Sequence, residues 1–498
     1  MIKTRSATAP ALHPPGKTLF GQPRGLATLF LTEMWERFTY YGMRAILILF
    51  MVAAVSDGGL GIPDSAASSV YGLFVACSYL LSLLGGWIAD TLIGAQRAVL
   101  CGGVFIMAGN AMLASGTTQV FFLGLTSIAF GVGLLKPNIS ALVANLYPEG
   151  GSRRDAGFSL FYMGINVGAL LGALLVPICA VRFGWHWGFA LPAVGMFIGL
   201  VQFVLTRHYL SASDLSTPID ARLRSWLPVI GFVSAVVIIA SLAITGAITI
   251  NPKAVSAAAS WLIGLLAAGY FIYLLFFAGL TGVERNRVYV MMALFVASTM
   301  YYAGQEQTGT SLTLFAERYT DRNLFGWQMP AGILQGVSSV FIILFAPLFS
   351  ALWISLGRRG KDPSIPVKFA AGLTLMGLGF LVMYVASTYV IQGQKVLPTW
   401  LVLCYMVQMW GDLCLSPVGL SSMTKLAAPR IVGQVMGMWF LSIALGDNLA
   451  GQLATEYDAN NLASLPALFF KMFEWGAISG AVMLLLTPRL KRLMSGVR

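Results

Sequence analysis

From Gly25 to Leu490 the chain is written in apolar runs of about 20 residues, the length an α-helix needs to cross a hydrocarbon layer roughly 30 Å thick. The runs predict spans at 25–53, 67–91, 97–116, 119–146, 156–182 and 187–207, then 225–246 and 256–280, then 287–317, 330–355, 366–390, 398–425, 431–455 and 467–488. No polar break between them is long enough to hold a soluble domain. The pattern is that of an all-α polytopic membrane protein with fourteen transmembrane helices.

An even number of spans with a pair in the middle divides the chain into two six-helix bundles joined by an insertion, an arrangement in which one half rocks against the other. The expected organisation is a cytoplasmic tail at 1–24, a first bundle at 25–207, a linker with two inserted helices at 208–286, a second bundle at 287–490 and a short tail at 491–498. The inserted pair carries no charge from Trp226 to Ile250 and only Lys253 in its turn, which places it at the lipid-facing periphery. The segment 208–222, HYLSASDLSTPIDAR, reads as a flexible linker.

Composition agrees with this: 57% of residues are hydrophobic, only 10% are charged, and the mean hydropathy is +0.79, whereas soluble domains carry roughly 25% charged residues. The net charge of +12 would suit nucleic acid or acidic lipid if it were clustered, but its placement argues otherwise. Of the 31 Lys and Arg residues, 22 lie in the tails and every second loop and six in the opposite loops. That asymmetry puts both termini in the cytoplasm and leaves no basic surface for a nucleic acid. The five cysteines all sit in apolar stretches and read as small buried hydrophobes, and the basic, Pro-rich start lacks the apolar core of a signal peptide.

Against this background the charges inside spans stand out. LTEMWERFTYYGMR, residues 31–44, sets Glu33, Glu36, Arg37, Tyr40, Tyr41 and Arg44 within an arc of roughly 140° on a helix of 3.6 residues per turn. Each charge at mid-membrane costs about 2.5–3.5 kcal/mol, so this face either lines a polar cavity or locks helices together. Glu33 and Arg37 are spaced to pair along the helix, leaving Glu36 and Arg44 to seek partners on other helices. Lys136, Glu306 and Asp412 each sit in an apolar span of their own, with Pro137 and Pro417 nearby to distort the helical ladder. Three cations then face four carboxylates, and a proton can neutralise the one left over. In GGWIADTLIGAQR, residues 85–97, Gly85, Gly86 and Gly94 allow close helix approach while Asp90 and Arg97 bracket a turn, as in a gating hinge or in an ordinary tight turn with a cytoplasmic arginine.

Together these stretches resemble the proton-coupled oligopeptide transporter family, a branch of the major facilitator superfamily. Glu33, Glu36, Arg37, Phe38, Tyr40 and Tyr41 match the pattern ExxERFxYY, GGWIAD with Gly94 and Arg97 matches the superfamily loop, and RRDAGFSLFYMGINVGALLG at 153–172 looks like the fifth-helix signature. SLTLFAER, PSIPVKFAAGL, LSPVGLSSMTKLAAP and MGMWFLSIALG extend the resemblance over nearly the whole chain. It implies that Arg37, Tyr41 and Lys136 hold a peptide carboxylate, with Tyr79 and Asn166 adding hydrogen bonds. Asp412 would face the peptide ammonium, Glu306 would take a proton or pair with Arg44, and Glu33 and Glu36 would couple proton state to the clamp. Two positions depart from the family: Asp412 stands for a glutamate, and Ser338 and Ser339 for an asparagine followed by proline. Tyr302, Trp410, Trp439 and Phe161 read as side-chain pocket residues or as ordinary packing.

The implied function is symport of dipeptides and tripeptides with protons across a bacterial plasma membrane by a monomer needing no cofactor. The alternative within transport is a carrier of another small anion or a peptide mimic. A membrane enzyme on lipid-linked substrates would also use buried acids, but the three histidines show no metal spacing and no nucleophile motif appears. A non-transporting sensor is the remaining class.

Overall fold

The computed structural model describes residues 18–19, 22–147, 151–210, 226–227, 229–231, 234–235, 251–428, 431–457 and 461–494, with the backbone alone at 18–19 and 151–156. The 208–222 linker beyond Leu210, most of the predicted span 225–246, most of the first tail and the second half of the last one therefore lie outside the described residues.

Fourteen α-helices are described. The first six are α1 (Arg24–Val52), α2 (Asp64–Ile88), α3 (Ala95–Leu113), α4 (Thr118–Asn145), α5 (Gly151–Phe183) and α6 (Trp185–Thr206). Then follow α7 (Pro252–Phe276), α8 (Gly282–Gln305), α9 (Ser311–Tyr319), α10 (Ile333–Arg358), α11 (Ile365–Ile391), α12 (Thr399–Leu426), α13 (Val432–Leu453) and α14 (Ser464–Leu493). Ten described helices are long and apolar enough to cross a membrane by length and composition alone. α1 fails that test because every window of 18 residues in it holds at least three charges, and those charges are the ones the sequence singled out.

Local chemistry sets several helix ends. Asn251 accepts from the amides of Lys253 and Ala254 at 3.1 and 3.4 Å ahead of Pro252, starting α7. At α8 a capping box closes reciprocally, Thr281 accepting from the Glu284 amide at 3.3 Å and Glu284 from the Thr281 amide at 2.8 Å. α2 runs on through a wide turn, Ala89–Ile93, and α3 begins after Gly94, whose φ of 81° a side chain would resist.

One predicted span is corrected. The run 287–317 is not a single helix: α8 stops at Gln305, a tight turn covers Glu306–Gly309, and α9 resumes at Ser311. The Gln307 side chain stands in for the lost ladder, donating to the Ala450 and Ala303 carbonyls at 2.9 and 3.2 Å and accepting from Ser311 at 2.7 Å. Conversely, α4 and α12 continue through Pro137 and Pro417, where the sequence suggested distortion.

The packing repeats. In the first bundle α1 packs on α5 and α6, α4 on α2 and α3, and α3 on α6. In the second bundle α8 packs on α13 and α14, α12 on α10 and α11, and α11 on α14, which is the same set of neighbours in the same order. The bundles meet through α2 on α13 and α5 on α10, each contact the counterpart of the other. This is the major-facilitator arrangement of two six-helix bundles. α7, from the insertion, lies against α13 and α2 with many of its apolar side chains exposed, including Trp261, Leu265 and Phe276. It is less inert than its sequence suggested, because Asn448 and Gln452 of α13 hydrogen-bond Ser256 and Ser260.

Candidate functional site

The charged face of α1 is buried, with Glu33, Glu36, Arg37 and Arg44 between 0% and 6% exposed. Arg37 sits between two carboxylates of its own helix, 3.0 Å from Glu33 and in closer contact with Glu36. The expectation that Glu36 pairs across helices is therefore corrected: long side chains on adjacent residues bend to one another here. Lys136 reaches this cluster from α4, its Nζ 3.6 Å from the centre of the Tyr79 ring on α2. Tyr41 packs edge-on against Tyr40 and under the Arg44 guanidinium, 5.6 Å from its centroid.

Arg44 does find partners elsewhere. It pairs with Glu306 from the α8–α9 turn, and its Nε donates to the Tyr71 hydroxyl on α2 at 2.8 Å. The helix break is what brings Glu306 to Arg44. This pair joins the two bundles, as does a two-pronged contact between Arg318 on α9 and Asp64 at the start of α2, at 2.6 and 2.7 Å. Where α2 crosses α13 the backbones nearly touch, so that a Cβ added to Gly72 would lie 2.7 Å from the Gly451 Cα. All these contacts seal one side of the molecule.

On the other side, toward the end of α14, the bundles part around a cavity of about 1200 Å³. Its described lining includes Tyr302, Trp353, Asp412, Ser416, Trp439 and Lys491 of the second bundle, while Tyr162 comes from the first. Asp412 is fixed by Ser416, which donates to it at 2.5 Å and lies 3.0 Å from the Tyr302 hydroxyl. Asn166, nearly buried, donates to the Tyr162 carbonyl at 3.0 Å. Trp439 is 2% exposed and packs edge-on to Phe369, so it is both a cavity wall and core. The Ser338 hydroxyl is buried without a hydrogen-bond partner and lies outside the cavity's described lining.

In the loop at 85–97, Gly85 abuts the α4 backbone at Gly133, whereas Gly86 faces open space. Asp90 is exposed, and Arg97 donates to the Ile93 carbonyl at 3.2 Å. Gly85 thus makes the close helix approach that the sequence suggested and Gly86 does not, while Gly94 serves the turn through its positive φ.

The sequence treated the intramembrane charges as one set; the structure sorts them into three. Glu33, Glu36, Arg37 and Lys136 form a buried cluster, Arg44 and Glu306 bridge the bundles, and Asp412 faces the cavity. Sequence reasoning missed a further acid, Asp447 on α13, which is 1% exposed. Its signal was the same as that of Asp412, an acid alone in an apolar span. Counting it, Arg37, Arg44 and Lys136 face five carboxylates, Glu33, Glu36, Glu306, Asp412 and Asp447, so two acids rather than one exceed the cations. Such a site can hold an anion and a cation apart and can take up protons.

A sequence profile described as the POT family matches residues 96–469. The chain is 40% identical to "Peptide transporter YePEPT" of Yersinia enterocolitica, over 97% of this chain and 98% of that one. It is 34% identical to a di-/tripeptide transporter of Lactococcus lactis, over 98% and 99% respectively. Among solved structures, a peptide transporter POT in complex with sulfate superposes with a TM-score of 0.88 at 40% identity, covering 97% of this chain and 98% of the other.

Proposed function

The chain belongs to the POT family, a family of transporters rather than enzymes, and from that premise we propose that it imports dipeptides and tripeptides together with protons by alternating access. The observation that carries the coupling is the position of Arg37 between Glu33 and Glu36. A peptide carboxylate reaches this guanidinium only if one glutamate gives way, and protonation makes it give way. Proton and substrate are thereby linked at a single side chain.

In this reading Arg37, Lys136 and Tyr41 receive the peptide carboxylate, Tyr79 and Asn166 support it, and Asp412 receives the ammonium, with Trp439 as wall. Ser338 contributes a hydroxyl once the bundles move. Glu33, Glu36 and Glu306 exchange protons, Arg44 releasing Glu306 as the seal opens, while Gly85, Gly86, Asp90, Gly94 and Arg97 form the hinge between α2 and α3. The termini face the cytoplasm of a bacterium, the protein lies in the inner membrane as a monomer, and the cavity is then open inward. No cofactor takes part other than the coupling proton.

The test is uptake of labelled dialanine by proteoliposomes under an inward proton gradient, alongside counterflow exchange without one. Wild type takes up dialanine in both assays, and Glu306→Gln loses gradient-driven uptake while keeping exchange. Absence of both in wild type would sink the peptide reading.

A further inference from the structure

We propose that Asp447 is a proton-binding site of the second bundle, and that its protonation permits α2 and α13 to meet and seal the side opposite the cavity. Its role in transport rests on the reading above, but proton binding itself does not. The starting point is an unanswered polar group. Both carboxyl oxygens of Asp447 are buried without a hydrogen-bond partner among the described residues.

The flanking residues are occupied in other directions. Gly446 fits against α8, where an added Cβ would meet Tyr302 and the Thr299 carbonyl at 2.7 and 2.8 Å. Asn448 is held by α7 through Ser256 and Ser260. Asp447 itself stands where α13 meets α2, its backbone carbonyl 2.9 Å from where a Gly72 Cβ would be. The close contact thus runs past the backbone of this acid and is tighter still one turn on, at Gly451.

The charges bearing on it come from several elements. Arg44 of α1 is engaged by Glu306 and Tyr71, Glu306 comes from the α8–α9 turn, and Lys136 of α4 stands over Tyr79. The phenols within electrostatic reach of it are Tyr71 and Tyr79 of α2 and Tyr302 of α8. α7 brings the neutral Ser256 and Ser260 to the neighbouring Asn448, and the acid of α12, Asp412, is held by Ser416. Arg44 and Glu306 cancel, and Lys136 is shared with Glu36 and Glu33, so no cation belongs to Asp447 alone.

An ionised carboxylate without donors at this depth is far more costly than the neutral acid. When α2 and α13 part, water reaches the group and its charge becomes tolerable. Sealing then requires one step, carboxylate plus proton giving carboxylic acid, with the proton drawn from the side on which the contact opens. This site is separate from Glu33, Glu36 and Glu306, and it belongs to the opposite half of the first two.

Infrared titration of the full chain in liposomes reads the protonated carboxyl stretch directly, and dialanine uptake against external pH reads its use. Asp447→Asn removes one component of the carboxyl band that Glu306→Gln retains, and the slope of log uptake against pH falls by up to about one proton. Asp447→Glu keeps the component at a shifted position and restores the slope, which a purely structural role would not produce. An unchanged band and pH profile in Asp447→Asn would overturn the proposal. Should that variant not fold, Asp447→Glu carries the test alone, and a band that fails to move overturns it. Loss of the component in a chain that never transports dialanine would instead overturn the peptide reading and leave the site standing.

Discussion

Arg37 shows how a single buried side chain can hold two buried acids of its own helix in balance. Replacing it with Met leaves Glu33 and Glu36 buried without their counter-charge, and breaking such a pair costs roughly 3–5 kcal/mol. Thermal unfolding in detergent is therefore expected to fall sharply for Arg37→Met, and to recover in part when Glu36→Gln is added, because one uncompensated charge is then gone. If the second change brings no recovery, the carboxylates are not what the arginine holds in check. These residues were legible in the sequence because four charges on one face of an apolar helix need an explanation. Their partners were not. Arg44 meets Glu306 across 262 positions, and only the fold supplies that neighbour. Asp447 carried a readable signal too, yet what marks it out, two buried oxygens without a hydrogen-bond partner among the described residues, is a property of the packed neighbourhood.

At the level of elements, the periodicity located the membrane spans, but the break in 287–317 was hidden because QEQTGT contains no proline and one glycine. Length was the available clue: the run is about ten residues longer than a bilayer crossing requires. The break depends on Gln307, whose amide serves two carbonyls and whose oxygen serves Ser311 and Thr310. Gln307→Ala leaves these groups unanswered in a buried place, and a loss of about 1–3 kcal/mol is expected. Since the turn positions Glu306, thermal stability and gradient-driven uptake should decline together; a variant with normal stability and normal uptake would show that the turn holds itself.

For the whole molecule, the sequence predicted two halves and an inserted pair, and the packing repeats faithfully between the halves. What no sequence pattern discloses is which side is sealed, because the same helices serve both packings. Asp64 and Arg318 lie on the sealed side and belong to different bundles, so they act on the equilibrium between states more than on either half. Both are partly exposed, and the pair is worth about 1 kcal/mol, which shifts that equilibrium roughly fivefold. Reversing either charge should make the sealed side more accessible to a membrane-impermeant reagent, and swapping both should restore protection. Equal accessibility in all three variants would remove the pair from the seal.

The cavity's size bears on why one carrier could serve many substrates. A space of about 1200 Å³ holds on the order of tens of water molecules, each taking some 30 Å³ of liquid. A short peptide leaves much of that water in place. Side chains of different bulk then exchange places with solvent instead of competing for a fitted wall, and the free-energy difference between a small and a large substrate becomes mainly one of hydration. Breadth of cargo is what a volume left wet would permit.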